Sequence, residues 1–187
     1  MIQVDTAELT IAGRRIRLIG SAVPRVFASA LNRTAQGVKT EAVKKVREMY
    51  SVKATDIRPL VRLSHRASAK ELRAEVTSSG RNIPLIKFKT TPGKPPAKQP
   101  KSVRSAVLKG NAKVVKGGFV TQVGSHVGVF KRAGRRRLPI QQLYGPAMPV
   151  MLNRPEVITH LQKEAAQRLN QRLDHEIKRV MERSSKA

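Results

Sequence analysis

The sequence predicts an α+β fold, with long N-terminal and C-terminal helices packed on an antiparallel β-sheet and a proline-rich loop protruding from it. Three observations carry this expectation. Apolar residues recur at three- and four-residue steps near both ends of the chain. Runs of alternating apolar and polar character fill the middle. One short segment holds too much proline to join either kind of element.

In the first helix, over residues 22–50, Val23, Phe27, Ala30, Leu31, Thr34, Val38, Ala42, Val46 and Met49 form one apolar stripe. Ser21 is placed to cap it and Pro24 suits its first turn. Lys39, Lys44, Lys45 and Arg47 fall on the wet side. Gly37 weakens the helix by about 1 kcal/mol relative to Ala, which makes it the expected place for a kink or break. Residues 1–20 read either as a short hairpin turning at Gly13 or as an irregular helix start. Further on, Thr55 or Asp56 is placed to cap a short helix that keeps Pro59 in its first turn.

The middle is read as strands. "KELRAEVTS" alternates Leu72, Ala74 and Val76, and "NIPLIKFKTT" sets Leu85, Lys87 and Lys89 against Ile86, Phe88 and Thr90. Residues 91–102, "TPGKPPAKQPKS", hold four prolines, one glycine and three lysines, which reads as an extended arm. "VRSAVLKG", "AKVVKGG" and "FVTQVGSHVGVFKR" read as three β segments separated by glycine turns. "RLPIQQLYGPAMPVML" is irregular. Pro155 then opens a helix to about residue 183, with Val157, Leu161, Ala165, Leu169, Leu173, Ile177 and Met181 on its apolar face. All of this is read as one domain over 1–187, comprising an N-terminal segment (1–20), the arm (91–102) and the C-terminal helix (155–183). No internal repeat is visible.

The charge balance is extreme. The chain has 38 Lys and Arg against 12 Asp and Glu, a net charge of +26 and a pI of about 11.6. Such a surface attracts polyanions: nucleic acid, an acidic protein face or an anionic membrane. The charge is also segregated. From Val76 to Pro155, eighty residues contain no Asp or Glu and sixteen Lys and Arg. Within them "VFKRAGRRRLPI" sets Lys131, Arg132, Arg135, Arg136 and Arg137 between two apolar flanks, the pattern of a charged hairpin tip. The plain alternative is a solvated basic face. Phe88, Phe119, Phe130 and Tyr144 fall in this region, but their alternation suits core faces better than base stacking. Any DNA contact is therefore expected at phosphates and without sequence preference.

Catalytic chemistry finds little support. With no cysteine there is no disulfide, thiolate zinc site or Cys nucleophile. His65, His126, His160 and His175 show no metal-ligand spacing. Ser125 and His126 in "GSHVG" lack the strand–elbow–helix context of a nucleophilic serine. Paired carboxylates are missing from the central region. No apolar run approaches the roughly 20 residues of a membrane span, and "MIQVDTAELTIAG" lacks signal-peptide character. The expectation is a non-enzymatic protein made in the cytoplasm, with no cofactor, metal, small-molecule substrate or membrane partner.

Three stretches, "ALNRTAQGVKTEAVKKVREMYSVKATDI" (30–57), "RNIPLIKF" (81–88) and "VFKRAGRRRLPIQQLYGPAMP" (129–149), resemble the minor tail protein Z family of tailed bacteriophages and prophages. The third is the most specific, and the similarity spans roughly residues 20–183. The resemblance implies a structural virion protein that completes the tail near the tube end or head–tail junction, in several copies around the tail axis. Partners would be tail-tube, terminator or neck proteins and genomic DNA in the channel. On that reading Lys131, Arg132, Arg135, Arg136 and Arg137, with Lys94, Lys98 and Lys101 of the arm, face DNA phosphates or an acidic neighbour. Leu138, Pro139, Ile140, Leu143, Tyr144 and Pro146 either form a subunit interface or pack into the chain's own core. The alternative is a sequence-independent nucleic-acid-binding protein of ribosome- or nucleoid-associated type; a small hydrolase is a third class that no constellation supports.

Overall fold

The N-terminal apolar stripe winds into one helix, α1 (Val23–Met49), in a computed structural model that describes residues 22–98, 100 and 102–184. The predictions for residues 1–20 and the Ser21 cap lie outside the described residues. After α1 come α2 (Ala54–Ile57), β1 (Val61–His65), β2 (Glu75–Ser78), β3 (Lys89–Thr91), β4 (Val103–Ala106), β5 (Lys113–Val115), β6 (Gly118–Val123), β7 (His126–Arg132), β8 (Ile140–Gln142), α3 (Met148–Leu152) and α4 (Pro155–Ser184). The α+β class holds, with long helices near both ends and every strand pairing among the described residues antiparallel. The strands form three small sheets, β1-β2, β3-β4-β5 and β6-β7-β8, where the sequence suggested one.

The chain divides into two compact units. One contains residues 23–42 of α1, the β1–β2 hairpin and α4. Its helices are antiparallel: Ser29 meets Glu176, Gly37 meets Arg168 and Glu41 meets His160. Val26, Phe27 and Ala30 interlock with Leu169, Leu173 and Ile177 in one apolar cluster. The four-residue step of α4 explains this, because such spacing keeps side chains on one face. Met181, the last residue of that predicted stripe, is 49% exposed instead. The β1 strand was missed because it is short and carries Arg62, Ser64 and His65 among its five residues. Asn32 ties the chain beyond β1 to α1: its Nδ2 donates to the Ala67 carbonyl (2.8 Å) and its Oδ1 accepts from the Ala67 N–H (2.9 Å).

Gly37 causes no break in α1. A Cβ there would lie 3.0 Å from Arg168 Nη1 and 3.1 Å from its Cδ, so the glycine makes room for that side chain.

The second unit contains residues 43–60 and 79–153. Val46, Val103, Val120, Val129, Met148 and Met151 are among its most deeply buried residues. The "NIPLIKFKTT" run begins as a 3-10 turn at Leu85–Lys87 and becomes strand only at Lys89. Its Phe88 is buried against Gly145, where an added Cβ would stand 2.5 Å from Phe88 Cε2. "FVTQVGSHVGVFKR" is two strands, β6 and β7, paired from Gly118↔Lys131 to Val123↔His126. Gly124 supplies the left-handed φ (+59°) that the tight turn needs. The segment expected to be irregular contributes β8 and α3. At α2 the N-cap position is Lys53, without a side-chain cap bond, in place of Thr55 or Asp56.

Candidate functional site

The charged tip is a loop on a defined hairpin. Strands β7 and β8 pair through Phe130↔Gln142, Lys131↔Gln141 and Arg132↔Ile140. The loop beyond that last pair is drawn together by the Ala133 N–H, which donates to the Pro139 carbonyl (3.0 Å). Lys131, Arg132 and Arg135 to Arg137 are all exposed. Arg132 Nη1 donates to the Arg137 carbonyl (3.0 Å), and its guanidinium carbon lies 5.6 Å from the centroid of the Phe119 ring. Phe119 is itself 6.4 Å from Phe130, centroid to centroid. The tip is thus carried on an aromatic pair spanning β6 and β7.

The proline-rich segment is the long connection of the β3–β4 hairpin, whose end pair is Thr91↔Arg104. Lys94 and Lys98 are exposed in it; Lys101 lies outside the described residues. The arm and the tip therefore belong to hairpins of different sheets.

Among the six apolar candidates beyond the tip, none reaches the buried class. Leu138 is 67% exposed and Tyr144 51%, and Pro139 is exposed too. Ile140, Leu143 and Pro146 are half-buried. The backbone of Leu143 is held on both sides: its N–H donates to the Val129 carbonyl (2.8 Å) and its carbonyl accepts from the Leu85 N–H (2.9 Å). Tyr144 donates from its hydroxyl to Gln142 Oε1 (3.1 Å). Exposed apolar side chains thus stand on backbone that is already anchored.

The electrostatics follow from the counts. Residues 43–60 and 79–153 carry 20 Lys and Arg and two carboxylates, Glu48 and Asp56, an excess of 18. Glu48 meets Lys45 (3.0 Å) and Asp56 meets Lys87 (2.8 Å). Two carboxylates leave the unit with a net excess of 18 positive charges.

A second basic feature escaped the sequence reading. In the same unit, a cleft of about 1110 Å³ is lined by Arg47, Lys53, Lys87, Lys89, Arg104 and Lys109, among other residues. These lie on α1, beside α2, in the 3-10 turn, on β3, on β4 and after β4, so no local run of charge announced them.

Ser125 stands in the β6–β7 turn, and His126 Nε2 lies 2.7 Å from the Gln142 amide nitrogen. The buried carboxylates are structural. Glu176, 1% exposed, accepts from Ser29 Oγ (3.0 Å) and meets Arg33 (3.3 Å) and Arg179 (3.1 Å). Glu41 meets His160 (3.2 Å) and Arg168 (3.5 Å). Among the described residues, no cluster of His, Asp or Glu could hold a metal ion, and no helix is long and apolar enough to cross a membrane.

Residues 14–186 match the family model of prophage minor tail protein Z (GPZ). No curated protein and no solved structure matches the chain.

Proposed function

Because the chain belongs to the prophage minor tail protein Z family and so has a structural role in a phage tail, we propose that it completes the tail as a multi-copy ring near the tube end or head–tail junction. The observation behind the finer reading is the uncompensated excess of 18 positive charges in one unit, with the charged hairpin tip displayed on it. Copies arranged about an axis would turn each tip into part of a cationic ring. Its counterpart is an acidic face of a tube, terminator or neck protein, or the phosphates of the genome in the channel.

The exposed Leu138 at the tip, and Tyr144 just past the other end of β8, favour a protein partner along this hairpin. Specific protein interfaces centre on desolvated apolar anchors ringed by polar groups, and Tyr is enriched among those anchors. The backbone bonds at Leu143 and Ala133 hold the segment in place, so little ordering entropy is lost on docking.

A phage or prophage lacking this gene, complemented in trans, tests the proposal. Wild-type protein restores infectious particles and is seen by electron microscopy at the tail end. The triple substitution Arg135→Ser, Arg136→Ser, Arg137→Ser gives soluble protein that fails to join tails. Full rescue by the triple variant, or a purified chain that stays monomeric and never appears on tails, rejects the reading. The extreme charge keeps a second reading in view: a free, sequence-independent nucleic-acid-binding protein, which would be absent from purified virions.

A further inference from the structure

The cleft lined by Arg47, Lys53, Lys87, Lys89, Arg104 and Lys109 belongs to neither the hairpin tip nor the proline arm. We propose that it holds the sugar–phosphate backbone of a nucleic acid, without reading its sequence.

The strand register puts the charges on one face. Lys89 lies opposite Ala106 and Thr91 opposite Arg104, so these four share one side of the β3–β4 ribbon. The other side is occupied by Thr90 and Ser105, whose hydroxyls are 3.2 Å apart. Lys89 and Arg104 thus face the cleft because their neighbours are fixed facing away. Asp56 is the only carboxylate lining the cleft among the described residues, and it already meets Lys87. The cleft therefore offers a polyanion several cations and almost no repulsion.

The character of the remaining lining selects the occupant. Tyr50, Val52, Phe88 and Ala106 are all buried and form the floor. What they leave to a ligand is cationic groups, the hydroxyl-bearing residues Ser51, Thr55 and Thr91, the half-buried Ile86 and the small residues Gly110 and Ala112. A protein segment would find few apolar anchors to desolvate, and such anchors supply most of the energy of protein docking. A phosphodiester backbone needs only cations, hydroxyls and main-chain N–H groups. The buried aromatic rings give bases no platform to stack on, and contacts confined to phosphate and sugar carry no sequence information. The contrast with Leu138 and Tyr144, exposed on the β7–β8 hairpin segment, separates the two surfaces by the chemistry they present. The proposal does not rest on the tail reading, since a cleft of this kind binds DNA in the isolated chain.

Fluorescence anisotropy of a short labelled DNA duplex, titrated with full-length protein across a salt series, tests it. Both substituted side chains are exposed, so Lys89→Gln with Arg104→Gln leaves the fold intact. That pair is expected to weaken binding by at least about tenfold, and to flatten the slope of log affinity against log salt by about 2, one unit for each lost phosphate contact. Lys113→Gln with Lys116→Gln removes the same charge outside the cleft and is expected to change affinity less than about threefold. Equal losses in the two pairs overturn the proposal. A second readout uses unmodified protein. Bound duplex should shield Lys53, Lys89 and Lys109 from acetylation, read by mass spectrometry, and leave Lys113 reactive. Unchanged acetylation at the three cleft lysines overturns the proposal. So does equal displacement of the duplex by polyglutamate at matched charge, which would give the cleft to an acidic protein segment. Failure of tail complementation moves none of these readings.

Discussion

Arg132 turns back onto its own hairpin: its Nη1 donates to the Arg137 carbonyl at 3.0 Å, while its guanidinium lies over the Phe119 ring. One of the five cations is thereby used to shape the loop that displays Arg135, Arg136 and Arg137, while Lys131 stands on β7.

Removing that brace should loosen the tip without unfolding the chain. A charge-assisted hydrogen bond and an exposed cation–π contact together give Arg132→Ala a cost of about 1–2 kcal/mol, at the low end because the side chain is exposed. Circular dichroism melting should show a fall of about 2–8 °C. Arg136→Ala, at an exposed position with no such contact among the described residues, should stay within about 0.5 kcal/mol of wild type. Equal effects at the two positions would show that Arg132 is no brace.

Gly37 and Arg168 should be coupled in sign. In the wild-type background Gly37→Ala gains about 1 kcal/mol of helix propensity but crowds Arg168, so stability should change little. In an Arg168→Ala background the crowding is gone, and the same substitution should stabilise by about 1 kcal/mol. A double-mutant cycle by urea denaturation measures the difference. Absence of coupling would mean that the close approach carries no energy.

Glu176 is buried where two helices meet and is held by one hydroxyl and two guanidinium groups. Glu176→Ala should cost about 2–3 kcal/mol, less than a fully buried pair because Arg33 and Arg179 can rehydrate. Arg33→Ala, the more exposed partner, should cost less than about 1 kcal/mol. Chemical denaturation of the two variants checks the order.

Leu138 and Tyr144 should separate folding from assembly. Leu138→Ser with Tyr144→Ser removes apolar surface that is mostly exposed, along with the exposed Tyr144–Gln142 hydrogen bond, so the melting temperature should move by only a few degrees. Incorporation into tails, scored by immunoblot of purified particles, should fall at least about tenfold if the segment docks on a protein partner. Normal incorporation would return these residues to the ordinary exposed surface.

How much could be read from residues alone varied with how local each signal is. The helices were legible because each apolar position in α4 lies four residues from the next, and a helix returns to one face at that spacing. The charged tip was legible for the same reason: its five cations lie within seven residues, between strands that pair with each other. Leu138 and Tyr144 were picked out, but whether they faced solvent was open until the bonds at Leu143 and Ala133 fixed the backbone beneath them. The β1 strand was missed because its alternation is only five residues long, with Val61 and Leu63 as its only two apolar positions.

The class of fold, the two long helices and the separation of positive from negative charge along the chain could be read from residue order, since each depends on residues close together in the chain. That the strands form three sheets, that Arg132 braces the tip and that Lys89 and Arg104 line one cleft with Arg47 and Lys109 emerges from how distant segments pack. The reason is register. A strand's partner and alignment set which of its two faces meets which neighbours, and a slip of one residue would send every side chain the other way.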